Sequence, residues 1–354
     1  MATFVYIYII MAFIAVSTQN ISKESRKRTI QSVTCFLILW FVQGLRHESI
    51  GIDSATSYIP YFKNVYVSWG SLFDIKDIFA NYEIGYIILN KLFKFFISTD
   101  PQLFILVCSF ISIAPIAWVI YKYSPNIIFS FWVFSSFQIY HFGFSGIRQA
   151  IAIGICTLAY NFIVQKKIPA FIALVLLAST FHTSAILFLP AYWIYHKLNM
   201  SPKMLFVYII AIVFLMFTIK SVATTLVSLI FGGEQYLGAL EDSAVPSYNL
   251  LIIFIIIFIS TYISQNEELA KLRSFVLMTV AFQTLGIITT YATRIGYYYF
   301  VFFSLAIPYA IETSNMKSKG LIRGLLAVIL AIFFFYVNGG GYLDVIPYKF
   351  FWEQ

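Results

Sequence analysis

GFSGIRQAIA, residues Gly143 to Ala152, opens a long apolar run and sets an arginine, Arg148, at its mouth. Gly146, Ala150 and Gly154 follow four apart, so they share one helix face that carries almost no side chain and lets a second helix approach closely. An arginine at such a mouth needs a partner or water, which marks a functional site. The competing reading is an arginine that snorkels and only anchors a helix end. The stretch by itself leaves both open, and the surrounding chain has to decide.

The surroundings are those of a membrane protein. Of the 354 residues, 60% are hydrophobic and 11% charged, with a mean hydropathy of +0.85; a soluble domain is about 25% charged. The apolar runs are continuous rather than alternating, which predicts helices. Met1 to Ser17 is apolar from the start and reads as a first membrane helix rather than a cleavable signal peptide. Cys35, Cys108 and Cys156 all lie inside apolar runs without metal-ligand spacing, which argues against a disulfide framework or a zinc site. The formal charge of +8 could suggest a nucleic-acid partner, but its distribution assigns it to one face of a membrane.

Taken in order, the spans fall at about residues 3–17, 29–45, 103–121, 127–142, 146–165, 204–222, 248–264 and 274–290, then one that follows Arg294 and ends near Glu312, and 321–337, with 168–197 read as two short helices that turn at His182. The alternative there, one long tilted span, would reverse everything that follows. Alternating these segments puts 14 of 23 Lys and Arg but 4 of 15 Asp and Glu on the inner side, a balance of +10 there against −2 outside. That bias predicts an all-α polytopic protein of about twelve transmembrane helices with both termini outside. Residues 1–354 read as one transmembrane domain. The segment 46–100 is its longest outer stretch; within it Ile84 to Ile97, with Asn90, Lys91 and Lys94 at helical spacing, predicts a helix lying in the interface. An outer loop carrying Glu234, Glu241 and Asp242 precedes the span at 248–264.

This topology gathers the polar groups at the outer helix ends. Arg46, Glu48, Asp53, Glu83, Arg148, Gln149, His182 and Arg294 all fall there. Arginine offers a rigid fork that matches phosphate oxygens, so Arg46, Arg148 and Arg294 are candidates to hold a pyrophosphate. Asp53, His182, Glu83 and Glu48 are candidate proton acceptors for an attacking hydroxyl. Bland readings accompany these: His182 as a turn residue, Arg46 and Asp53 as a structural salt bridge, and Tyr297, Tyr298 and Tyr299 as an aromatic belt at the headgroups. No P-loop, Gly-x-Ser-x-Gly elbow or DxD pair occurs, so nothing argues for ATP hydrolysis, a serine hydrolase or a metal-held nucleotide sugar.

Five stretches carry a family resemblance through about residues 40–310. GLRHESIGIDSATSYIPYF resembles the arginine-then-GxDxxxY element of EpsG/Wzy-type bacterial polysaccharide polymerases, with Ser54 where many relatives have Thr. YEIGYIILNKLF resembles their acidic-Gly-Tyr helix, GFSGIRQAIAIGI and FHTSAILFLPAYW their paired "IRQ" and "FH-S-A" elements, and ATRIGYYY their late arginine near a tyrosine. The resemblance implies a lipid-donor, GT-C-like glycosyltransferase of the bacterial inner membrane. It would join undecaprenyl-pyrophosphate-linked repeats of O-antigen or exopolysaccharide at the periplasmic face, without metal or other cofactor, with a chain-length regulator and a flippase as further partners. Arg46, Arg148 and Arg294 would then clamp the pyrophosphate, Asp53 or His182 would be the base with Glu83 beside them, and Glu48, Gln149 and Tyr297 would position the acceptor. A glycan ligase using the same donor is the near alternative. A flippase or transporter would need charges at the midplane of several spans, which these helix interiors nearly lack.

Overall fold

The computed structural model describes residues 1–71, 82–198, 200–231, 248–286, 290–339 and 341–353. Glu234, Glu241 and Asp242 lie outside the described residues. The chain is helical: α1 (Ala2–Ser17), α2 (Glu24–Gly44), α3 (Ile59–Asn64), α4 (Ile84–Phe96), α5 (Pro101–Tyr123), α6 (Ile127–Ser136), α7 (Gln138–Phe142), α8 (Ile147–Val164), α9 (Ile168–Ser179), α10 (Ala191–Lys197), α11 (Pro202–Phe231), α12 (Tyr248–Ser260), α13 (Glu267–Leu285), α14 (Thr290–Phe300), α15 (Phe303–Glu312) and α16 (Lys319–Asn338). A π-helical turn, Ser54–Tyr58, leads into α3, and a 3-10 turn, Thr183–Phe188, follows α9. Two compact units result, one of residues 1–189 with 318–354 and one of residues 190–317.

Local signals set several starts. Asp100 accepts from the Gln102 amide at 2.9 Å ahead of Pro101, fixing the first turn of α5. Asn126 does the same for α6 through Phe129, and Asn266 for α13 through Leu269. That cap starts α13 at Glu267, seven residues before the expected span, and carries Arg273 into the interior. There its guanidinium binds the carbonyls of Thr261 and Ser264 just past the end of α12. Phe137, extended at φ −91° and ψ 162°, splits the expected span 127–142 into α6 and α7.

In the first unit α5 and α8 run side by side in the same direction. Gly154 makes this possible: a Cβ there would sit 2.6 Å from the Ser112 carbonyl oxygen. Farther along, Lys122 donates to Asn161 Oδ1 at 2.6 Å. Gly146 does not contribute to that seam; it faces the ring of Phe142. Helix α2 runs against α5, with Arg28 bonded to the carbonyls of Ser124 and Tyr121 at one end and Gln102 to the Gly44 carbonyl at the other. After α9 the chain reverses at His182, because Phe188 returns to Phe171 near the start of α9, ring centroids 6.1 Å apart. The turn at His182 is therefore as expected. The unit ends up with Lys27, Arg28, Lys122, Lys167 and Arg323 toward one end and Arg148, Glu83 and His182 at the other.

Helix length supports fewer spans directly than the twelve expected. Among the described residues, Pro101–Tyr123, Ile147–Val164 and Lys319–Asn338 are long and apolar enough to cross a membrane, and the pair Tyr291–Phe300 and Phe303–Glu312, bent by 46°, would make a fourth. Ala2–Ser17, Ile127–Ser136, Ile168–Ser179 and Leu250–Ile263 are shorter apolar helices, and the 30-residue α11 opens with the apolar stretch Pro202–Thr218. At 1.5 Å per residue the four shorter helices reach less than the roughly 30 Å of a hydrocarbon core, so an unbroken apolar run in sequence need not give an unbroken helix.

Helix α4 forms where expected, but its polar residues do not face outward. Asn90 and Lys91 are buried, while Phe95, Phe96 and Ile97 are exposed. Lys91 donates to the Ser71 carbonyl. Lys94 donates to the carbonyls of Phe62, Lys63 and Val65, which are free at the end of α3. The charges face inward because helix ends inside offer them acceptors.

Candidate functional site

Two close backbone contacts build the site. Gly51 has φ +90°, and a Cβ there would lie 2.2 Å from the Phe144 carbonyl oxygen. Only glycine lets this turn sit directly on the GFSGIRQ stretch. Two residues on, the Asp53 amide donates to Ser145 Oγ at 3.0 Å. The second contact joins α4 to the end of α9. The Gly85 amide donates to the Thr180 carbonyl at 2.7 Å, where a Cβ would be 2.8 Å from the same oxygen. Together they bring the π-helical turn, the start of α4, the mouth of α8 and the turn after α9 to one place.

Arg148 and Glu83 form an ion pair there through Nη1 and Oε2. His182 Nδ1 lies 3.1 Å from the other carboxylate oxygen, Oε1. The Thr183 amide donates to Oε1 at 3.1 Å. Arg148 Nε donates to the Tyr58 hydroxyl at 3.3 Å. Its guanidinium lies over the rings of Tyr58, 5.3 Å from the centroid, and Tyr82, 4.7 Å away. The Arg148 and Glu83 side chains are 17% exposed and that of His182 is 25%, so the cluster opens to the outside of the protein.

The electrostatics follow from these partners. Burial alone would raise the Glu83 pKa, but His182, the Thr183 amide and Arg148 together outweigh it and pull the carboxyl down to about 2. Glu83 is thus ionised throughout the physiological range. Burial pushes the Tyr58 hydroxyl up against the opposing pull of Arg148, and it pushes Tyr82 up as well. Both phenols therefore remain neutral walls around the guanidinium.

The other expected residues are distributed differently. Arg46 is buried, 1% exposed, and its fork reaches the Gln43 carbonyl, Ser109 Oγ and Ser54 Oγ, beneath the Phe144 ring. Among the described residues it makes no ion pair with Asp53, so the salt-bridge reading is corrected. A hydroxyl at position 54 is the feature Arg46 uses, and both Ser and Thr supply one. Glu48 pairs with Lys63 at 2.7 Å on the surface. Gln149 is buried just behind Arg148 on α8. Arg294 is an exposed residue of α14, in the second unit. Tyr297, Tyr298 and Tyr299 are buried, and Tyr299 stacks on Phe282; they form core rather than a headgroup belt. Among the described residues no three His, Cys, Asp or Glu side chains come together as a metal site requires.

Sequence reasoning missed Tyr58, Tyr82, Ser145 and Thr183 as members of the site. Each lies inside a quoted motif, and Tyr82 and Thr183 directly adjoin Glu83 and His182. The missing signal was spatial, because their importance depends on which motifs touch.

The family model of the EpsG family matches residues 29–350. The chain belongs to the EpsG family. No curated protein and no solved structure gives a match. Membership in the EpsG family, with several apolar helices, marks a membrane protein of polysaccharide biosynthesis and suggests a polymerase-type function.

Proposed function

We propose that this EpsG-family chain is a glycosyltransferase of the bacterial inner membrane that polymerises undecaprenyl-pyrophosphate-linked oligosaccharide repeats at the periplasmic face. The observation that carries this reading is the Arg148–Glu83–His182 cluster. It combines an arginine fork at a helix mouth, a carboxylate that a diphosphate can replace, and an imidazole whose Nδ1 lies 3.1 Å from that same carboxylate. Its position at the end of the first unit away from Lys27, Arg28 and Lys122 supports the periplasmic side under the positive-inside rule.

At rest Glu83 neutralises Arg148. A donor diphosphate brings more negative charge and more acceptor oxygens to the fork, and the N-terminus of α8 adds the positive end of its dipole. With the imidazole proton on Nδ1, on the side of Glu83, His182 Nε2 keeps its lone pair and accepts a proton. The acceptor sugar's hydroxyl oxygen bonds to the anomeric carbon of the growing glycan as its proton passes to His182. The bond from that carbon to the diphosphate oxygen breaks, the electron pair leaves with the diphosphate, and Arg148 stabilises the charge that develops there. Glu83, with its pKa near 2, is too weak a base to share the proton transfer and is a positioning residue. Asp53 and Glu48 would line the acceptor approach, and Gln149 would support the mouth of α8.

Arg148→Ala in the host strain tests the reading. Losing one preorganised charge contact at a transition state lowers the rate by about 10²–10³, so the long glycan ladder should collapse to single repeats while the protein is still made. An unchanged ladder at normal expression would overturn the assignment.

A further inference from the structure

The basic end of the first unit contains a cavity of about 700 Å³ between the end of α1 and the first turns of α2, α6 and α16. This volume lies in the range of about 300–1,000 Å³ common to small-molecule sites. One wall is apolar, with Trp132 and Val328 on it; the rim carries Lys27, Arg28 and Arg323 against one acid, Glu24. Arg28 is already tied to the carbonyls that end α5, which makes it part of the wall. Lys27 and Arg323 flank the opening. Three helices begin at this cavity, and the positive ends of their dipoles add to the cationic field.

The α16 side of the cavity has room that none of the described residues fills. Gly320 and Gly324 lie one turn apart on the wall, and a Cβ on Gly324 would meet nothing within 4 Å. Each glycine weakens a helix by about 1 kcal/mol relative to alanine, and among the described residues no neighbouring atom requires Gly324. An apolar slot with a cationic rim, placed where helices emerge from an apolar layer, matches an anionic amphiphile.

We propose that this cavity binds an acidic phospholipid, with its phosphate between Lys27 and Arg323 and an acyl chain along the Gly320–Gly324 face toward Trp132. The site lies at the other end of the unit from Arg148 and does not rest on the polymerase reading.

Native mass spectrometry of the full-length protein tests it, with phosphatidylglycerol and phosphatidylcholine of equal chain length as probes. The expected result is a phosphatidylglycerol adduct on the wild type, with phosphatidylcholine bound far more weakly. Lys27→Gln with Arg323→Gln should weaken that adduct about tenfold or more, since each cation near an anionic lipid contributes substantially. Gly324→Leu places a helix-compatible side chain in the slot and should exclude the lipid without unfolding the protein, checked by its thermal transition. Equal binding of the two lipids would overturn the proposal, as would an adduct untouched by both sets of substitutions. Displacement of the lipid by millimolar inorganic phosphate would overturn it in favour of a free anion.

Discussion

Arg46 and Arg148 sit on two sides of the same Gly51–Asp53 turn, and they use the same fork in opposite ways. Arg46 is enclosed, and its hydrogen bonds go to a carbonyl and to serine hydroxyls of its own fold. Arg148 is part-open, walled by two tyrosines, and its strongest partner is a carboxylate that lies on a different helix. Neutral partners that cannot leave make an arginine structural. An ionic partner that another anion can replace leaves it available for chemistry. In sequence both are simply arginines at helix ends.

The sharpest way to break this contrast is Arg46→Ala. It leaves buried carbonyl and hydroxyl groups without their donor, which costs about 1–3 kcal/mol for each unsatisfied group. Thermal unfolding should show a loss of several °C and a low folded yield, yet glycan polymerised per folded molecule should stay near wild type. Loss of activity at full stability would make Arg46 the second fork after all.

Glu83→Gln gives a middle-sized effect. Since the folded pKa of Glu83 lies below its usual value, its contribution is fully present above about pH 4.5 and disappears as pH falls through about 2. The stability difference between wild type and variant, on the order of 1–3 kcal/mol, should therefore be constant from neutral pH down to about 4.5 and then shrink. A difference that vanished between pH 6 and 7 would instead implicate a group with an ordinary histidine pKa. Smallest is Lys63→Ala, which removes the partner of Glu48. Exposed pairs contribute less than about 1 kcal/mol, so neither melting temperature nor glycan length should change measurably. A shortened ladder would bring Glu48 into acceptor binding.

The legible and illegible parts of the molecule divide along similar lines. The reversal at His182, the start of a helix at Glu83 and the alternation of basic and acidic ends in the first unit could all be read, because local pattern and charge bias encode them. The inward reach of Lys91 and Lys94 could not, since their acceptors are carbonyls at the ends of other segments. Nor could the break at Phe137 or the early start of α13, where one residue's backbone angle or one asparagine cap outweighs a continuous apolar run. The tyrosine walls of Arg148 come from two motifs that only the Gly51 and Gly85 contacts bring together.

The C-terminal region adds one more layer. The His47 amide donates to the Lys349 carbonyl, the Phe351 amide to Leu45, the Gly51 amide to Asp344, and the Tyr348 hydroxyl to Val42. The turn that cradles the GFSGIRQ stretch is thus braced by residues made some three hundred positions later. During synthesis the earlier motifs can enter the bilayer one after another, but the pocket they line gains its last strut only when residue 351 has left the ribosome. Shortened or stalled products would carry every motif of the site and still lack its finished architecture.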